Sequence, residues 1–297
     1  MSVLLSILAQ CLHMAAVVAV APLLAGSIDA LSDRLGGREW PPMPRPWHDL
    51  TRLFRKEPLR AEGASAATRA MPLLSVILAA LCVFLVPSFT LGMVSAPLAD
   101  FLTIAALFML GRVLSVLVAM DAGTGEGGAV AAGTTRLAMA AEPALLLAVL
   151  VLALHAGSGN LDAILAVRLD AAPGPAPGLA IAALALLGWA EATRPSMQSV
   201  FSGRDLALVR FADRLRLLAW CDLIGALALP FGMAAADTGP FTWGIGMLAW
   251  VSRLLLAAAI LAAARVAGGA DKIPTMLVLA LALCGVATAL GLASAGP

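Results

Sequence analysis

"GTTRLAMAAEPALLL", residues 133–147, poses the question that decides the fold. The stretch lies in an apolar run long enough to cross a bilayer, yet Glu142 stands inside it and Pro143 follows at once. A carboxylate at bilayer depth costs about 2.5–3.5 kcal/mol even on lenient insertion scales. A proline within a helix removes one backbone hydrogen bond and frees the carbonyl four residues earlier, here that of Met139. Lipid tolerates neither feature, whereas a protein interior or a wet cavity tolerates both. The stretch therefore reads as a membrane helix whose inner face carries an ionisable group beside a locally opened backbone.

Outward from it, the chain is apolar almost throughout. Of its 297 residues 61% are hydrophobic and 12% are charged, with a mean hydropathy of +0.96. A soluble domain carries about a quarter charged residues. The sequence predicts an all-α polytopic membrane protein, one transmembrane domain over residues 1–297. About eight helices are expected, each near the ~20 residues that span the hydrocarbon core. The expected spans are 3–30, 71–94, 97–119, 135–156, 177–193, 213–235, 243–265 and 273–294. The first has no Lys or Arg before its apolar run, which continues to about Leu31, so it reads as an uncleaved span rather than a signal peptide. The fifth is short and follows the break "APGPAPG" at 172–178. With no Tyr in the chain, Trp is the expected interfacial anchor.

Charge fixes the orientation. Arg34, Arg38, Arg45, Arg52, Arg55, Lys56, Arg60 and Arg69 lie between the first two spans. Arg136 precedes the fourth span, and Arg194, Arg204, Arg210, Arg214 and Arg216 lie between the fifth and sixth. Arg265 and Lys272 lie between the last two. Alternation puts all of these on one side and leaves Arg168 alone on the other. The positive-inside rule makes the rich side cytoplasmic and predicts both termini outside.

The first cytoplasmic loop, 32–70, contains "RPWHDLTRLFRKE" (45–57). On a helical wheel Trp47, Leu50, Leu53 and Phe54 share one arc, while His48, Asp49, Arg52, Arg55 and Lys56 share the other. An amphipathic surface helix over 46–57 is expected, its basic side turned to headgroups or a docked partner. A solvated charged loop is the alternative. Trp47, Asp49, Arg52, Arg55 and Lys56 are the docking candidates. "SGRDLALVRFADRLRLL" (202–218) opens with Ser202 and Asp205 at capping-box spacing, where the loop re-enters a helix.

Metal chemistry finds no foothold in the sequence. Cys11, Cys82, Cys221 and Cys284 occupy separate segments with no CxxC pair, and His13, His48 and His155 are scattered as packing or interfacial residues. "GTGEGG" (123–128) lacks the GK[ST] of a phosphate loop and reads as a flexible turn. No metal site, no cofactor and no nucleic acid partner are expected; the bilayer is the expected surroundings.

Five charges remain inside the spans: Arg112, Glu142, Glu191, Asp222 and Arg253. For Glu191, near a span end, snorkelling remains an alternative. For Glu142, Arg112 and Arg253 an internal polar path accounts for the cost of burial. A carboxylate drawn upward in pKa by burial and downward by a neighbouring arginine is poised to take up and release a proton.

With these residues in place, "APLLAGSIDALSDRLGGREWPPMPRPWHDLTRLFRKE" (21–57), "GRVLSVLVAMDAGTGEGGAVAAGTTRLAMAAEPALLL" (111–147) and "SGRDLAL" (202–208) resemble the complex I subunit 1 family of NADH–quinone oxidoreductases. The spacing looks most like the formate hydrogenlyase and hydrogenase-4 membrane subunits of group 4 NiFe hydrogenases. The resemblance implies a non-catalytic, eight-helix subunit of a multisubunit respiratory oxidoreductase, without its own redox centre, in the bacterial inner membrane. It implies cytoplasmic loops that dock peripheral subunits carrying iron–sulfur clusters and a NiFe-type centre. It also implies a proton path toward antiporter-like membrane subunits, drawing in Asp121 and Arg136 beside Arg112, Glu142, Glu191, Asp222 and Arg253. Three departures are visible. Leu137, not Glu, follows Arg136; the acidic loop after Glu191 is reduced to "ATRPSMQSVFSG" (192–203); and Arg265 stands where relatives often carry Glu. They argue against a quinone chamber built on those acids. An anchor that has lost proton conduction, and a stand-alone secondary transporter, are the competing readings. The second lacks the inverted repeat and paired broken helices such transporters show.

Overall fold

The computed structural model describes residues 2–39, 44–58, 65–121, 123–193, 201–268 and 272–294. They form ten α-helices joined by short segments: α1 (Ser2–Leu35), α2 (Arg45–Phe54), α3 (Ala66–Leu85), α4 (Phe101–Asp121), α5 (Gly125–Ala156), α6 (Leu161–Asp170), α7 (Pro175–Ala192), α8 (Gly203–Ala228), α9 (Pro240–Ala267) and α10 (Ile273–Ser294). The protein is an all-α, multi-pass membrane protein. Among the described residues, seven helices (α1, α3, α4, α5, α7, α9 and α10) are long and apolar enough to cross a bilayer.

The sixth expected span, 213–235, differs. Its place is taken by α8, whose 26 residues suffice in length but include four arginines and three aspartates. It lies against α1, α3, α7 and α9, and it buries Asp205, Arg216 and Asp222. An interior helix need not be apolar all round, because its charges meet partners rather than lipid.

Several boundaries move for local reasons. The second expected span, 71–94, ends as a helix at Leu85, ahead of Pro87, and continues through β1 (Thr90–Leu91) and a short 3-10 turn at Ala96–Leu98. The fourth, expected at 135–156, starts at Gly125, so "GTGEGG" is not a free turn. Thr124 caps the helix by accepting from the Gly127 amide, and a Cβ on Gly127 would fall 2.3 Å from the Ala119 carbonyl oxygen. The glycine is there for the close approach of α5 to the end of α4. The sixth span, expected at 213–235, belongs to a helix that starts at Gly203, where the Ser202–Asp205 spacing puts the re-entry, and stops at Ala228, two residues before Pro230. α6 was not expected; Asn160 caps it by accepting from the Ala163 amide.

The two ends of the bundle are tied differently. At one end β1 pairs in parallel with β2 (Ala234–Ala235), and Asp100 bridges Asn160. Asp162 accepts from the Gly92 amide at 2.7 Å, and burial holds its carboxyl above the ordinary carboxylate range against that amide's pull. At the other end the Arg204 amide donates to the Lys56 carbonyl, and Arg214 donates to that of Pro46. These contacts gather each set of connections that helix alternation places on one side. The amphipathic helix is present as α2, but its apolar face meets protein rather than lipid. Leu50 and Leu53 are buried in a small second core with Val118, Val130, Ala131 and Leu206.

Candidate functional site

Arg112 is the centre of the site. It sits on α4 with its side chain 1% exposed, and Nε donates to Glu191 Oε1 on α7 in a close ion pair. Its Nη1 lies 3.8 Å from Glu142 Oε1 on α5. One guanidinium thus joins carboxylates from two further helices. Its Nη1 and Nη2 are buried without a hydrogen-bond partner among the described residues, so the described part of the chain leaves the fork unsaturated. Arginine keeps its charge under all ordinary conditions, whereas either carboxylate can take a proton. The arrangement is one fixed cation beside two exchangeable sites.

The two carboxylates have different surroundings. Glu191 is buried, and it lines a cavity of about 900 Å³ between α1, α2, α7, α8 and α9 at the end that carries the basic segments. Arg265 crosses this cavity to Asp29 at 2.8 Å and to the Ala192 carbonyl at 3.2 Å. Arg216 pairs with Asp213 at 3.3 Å and reaches Gly111, where a Cβ would meet its Nη2 at 3.0 Å. Gly111 therefore lets Arg216 lie against the turn of α4 that bears Arg112. Glu142, midway along α5, has its side chain 27% exposed on the flank of the subunit. The acid–cation–acid row leads from a polar cavity toward that flank.

The other expected path residues lie elsewhere. Asp222 (α8) accepts from Trp250 Nε1 (α9) at 2.7 Å, and Arg253 (α9) donates to the carbonyls of Ser88 at 2.6 Å and Leu229 at 3.3 Å. Asp121 accepts from the Ser65 amide at 3.2 Å and from the Ser65 and Thr68 hydroxyls, where it holds the start of α3. Arg136 is exposed on α5. Of the seven residues, the structure gathers Arg112, Glu142 and Glu191 in one place and Asp222 with Arg253 in a second. Sequence reading did not single out Trp220, Trp250 or Ser88; an indole or a serine in an apolar run gives no periodic signal, and Ser88 contributes its main-chain oxygen.

On α2, Asp49 pairs with Arg52 at 3.5 Å, and Arg52 is exposed while Leu50 and Leu53 are buried; the helix ends at Phe54, short of the expected 57, so Arg55 and Lys56 lie exposed just past it. Trp47 turns inward instead, and its Nε1 donates to the Ala19 carbonyl of α1. Among the described residues no group of three His, Cys, Asp or Glu side chains is arranged to hold a metal.

Comparison with known proteins agrees with this architecture. Over 232 residues the chain is 27% identical to hydrogenase-4 component C of Escherichia coli, covering 72% of each chain. Over 144 residues it is 28% identical to formate hydrogenlyase subunit 4 of the same organism, covering 48% of this chain and 47% of that one. Its fold superposes with a TM-score of 0.74 on a chain of the membrane-bound sulfane sulfur reductase, an archaeal respiratory membrane complex, at 15% identity and over 96% of this chain and 98% of that one. Each of these proteins is named as part of a larger assembly. The profile of the NADH dehydrogenase family matches residues 3–289, nearly the whole length. The chain belongs to that family, the one to which complex I subunit 1 gives its character.

Proposed function

We propose that this chain is a non-catalytic membrane subunit of a multisubunit respiratory oxidoreductase of the group 4 hydrogenase or complex I type. It anchors the peripheral redox arm and carries a proton path through Glu191, Arg112 and Glu142. The observation that carries the reading is the single buried arginine shared by two carboxylates, one on a cavity at the basic end and one on the membrane flank. A proton from the cavity passes to Glu191, the fixed Arg112 guanidinium holds the two carboxylates on either side of it, and Glu142 passes the proton to a neighbouring membrane subunit. No electron enters this chain. Iron–sulfur clusters, and a NiFe-type centre, belong to peripheral partners that dock on the basic face of α2. Antiporter-like subunits lie along the membrane flank. The basic end faces the cytoplasm of a bacterial cell, which places both termini outside the inner membrane.

Glu142→Gln tests the path. The amide keeps the size and one acceptor of the side chain but holds no exchangeable acid. Assembly of the tagged complex and its electron transfer are expected to persist, with proton movement per electron falling by about tenfold or more. Unchanged coupling in an assembled complex would show that Glu142 carries no protons and would favour a structural anchor. Purification of the chain alone, with no redox or membrane partner, would return the transporter reading to the front.

A further inference from the structure

A second buried polar group lies beyond the proton site, and the path through Glu191 and Glu142 does not use it. Trp220 on α8 is 1% exposed and stacks on Phe108 with ring centroids 4.5 Å apart. One side of it lines the large cavity that reaches Glu191. It also lines a second, smaller crevice of about 140 Å³ between α7, α8 and α9, whose walls include Gly188, Ile224 and Leu261 and which reaches Arg253. The two spaces therefore adjoin at Trp220. They run from the basic end toward the end that β1 and β2 close.

Arg253 is held more firmly than a snorkelling arginine. It is 5% exposed, and it donates to two carbonyls set free where helices stop, Leu229 just past α8 and Ser88 three residues past α3. The negative ends of those helices suit a cation. Asp222 supplies the counter-charge, itself fixed by Trp250. Behind Ser88 stands His13 of α1, fully buried. Its Nε2 lies 2.7 Å from the Val83 carbonyl and its Nδ1 2.7 Å from Ser88 Oγ. A carbonyl only accepts, so Nε2 carries the hydrogen and Nδ1 accepts from the serine hydroxyl, which leaves the ring satisfied while neutral. Among the described residues, the charged and titratable groups facing this point are Asp222 and Cys221 of α8, Arg253 of α9 and His13 of α1.

We propose that Arg253 is an electrostatic plug that ends the proton path and keeps protons in the basic-end cavity from leaking to the opposite face. The inference rests on the proton-path reading of Glu191. A proton that passed Trp220 would enter a crevice with apolar walls, which holds water poorly. It would then meet a fixed positive charge that has no lone pair to accept it and neither of whose carbonyl partners relays protons. Fixed cations bar protons from pores in this way. A coupled complex needs such a barrier, because a bypass around the membrane partners would dissipate the gradient.

The test is passive decay of an imposed pH gradient in inverted membrane vesicles holding the assembled complex, without substrate. Arg253→Met is expected to speed the decay by about tenfold. Adding Glu191→Gln to that variant is expected to restore the slow rate. If Arg253→Met decays at the wild-type rate with the complex assembled, the plug is overturned and the path reading is untouched. If the leak is fast but persists in the double variant, the plug stands and the path through Glu191 fails. Should Arg253→Met not assemble, Arg253→Lys answers the question, because a buried lysine loses its charge far more readily than an arginine. Its leak is expected to be slow near pH 6 and to quicken as the pH rises. A leak that stays at the wild-type rate throughout would overturn the plug.

Discussion

Glu191→Leu is expected to destabilise the chain by about 3–5 kcal/mol, the cost of leaving a buried charge without its partner. The readout is the apparent melting temperature of the chain in mild detergent, together with its level in the membrane. The size follows from what remains. Arg112 cannot neutralise itself, its side chain is 1% exposed, and its other acid, Glu142, stands 3.8 Å away. Arg112→Met is expected to cost less, because the carboxylates left behind can take up protons and become neutral. Arg112→Met combined with Glu191→Leu is expected to recover most of the loss, since two apolar groups of similar volume leave no uncompensated charge. The order is the test. Equal losses in all three variants would mean that the pair contributes packing alone, and a double variant worse than either single would mean that the site is held by partners other than this pair.

How far the sequence alone leads is visible at these residues. Arg112, Glu142 and Glu191 stand out because a charge in an apolar run has a known cost and so demands a partner. Which partner each takes is set by the rotation and tilt of α4, α5 and α7, and no spacing within one helix encodes that. Asp121 and Arg136 belong to the same conspicuous block, yet one holds the start of α3 and the other is exposed. The expected last span, 273–294, coincides with α10, because it is uniformly apolar after Asp271 and Lys272. α8 is the opposite case. Its interior position lets it carry three aspartates and four arginines within 26 residues, so hydropathy alone starts the span ten residues late, whereas the Ser202–Asp205 spacing marks the helix start. The partners of Arg253 are main-chain oxygens of Ser88 and Leu229, atoms that every sequence offers at every position. Arg168 gives the same lesson. Read as the sole basic residue on its side, it is buried and donates to the carbonyls of Leu227 and Ala171.

Gly203→Val is expected to dislodge α2 from α8 and to strip the complex of its peripheral partners while the transmembrane bundle stays folded. Gly203 begins α8 with φ +53°, and a Cβ there would lie 2.2 Å from the Glu57 carbonyl oxygen and 2.9 Å from that of Lys56. The left-handed backbone alone costs about 1–2 kcal/mol for a residue with a side chain. The clash cannot be relieved by rotating a side chain, because both opposing atoms are backbone. The segment after α2 must therefore move, and with it the amide–carbonyl bond from Arg204 to Lys56. That junction orients Arg52, Arg55 and Lys56, whereas the small core under α2 is separate from the main one, so the damage stays local. Two measurements read the effect: the rate at which a protease cleaves within 45–58, expected to rise, and recovery of peripheral subunits with the tagged chain, expected to fall. Gly123→Ala is the control. Its φ is +62°, but nothing lies within 4 Å of the added Cβ, so it carries the backbone strain without the collision. If Gly203→Val behaves as that control does, with partners retained and no faster cleavage at 45–58, then the α2–α8 junction does not hold the docking face, and the peripheral arm is bound elsewhere on the basic end.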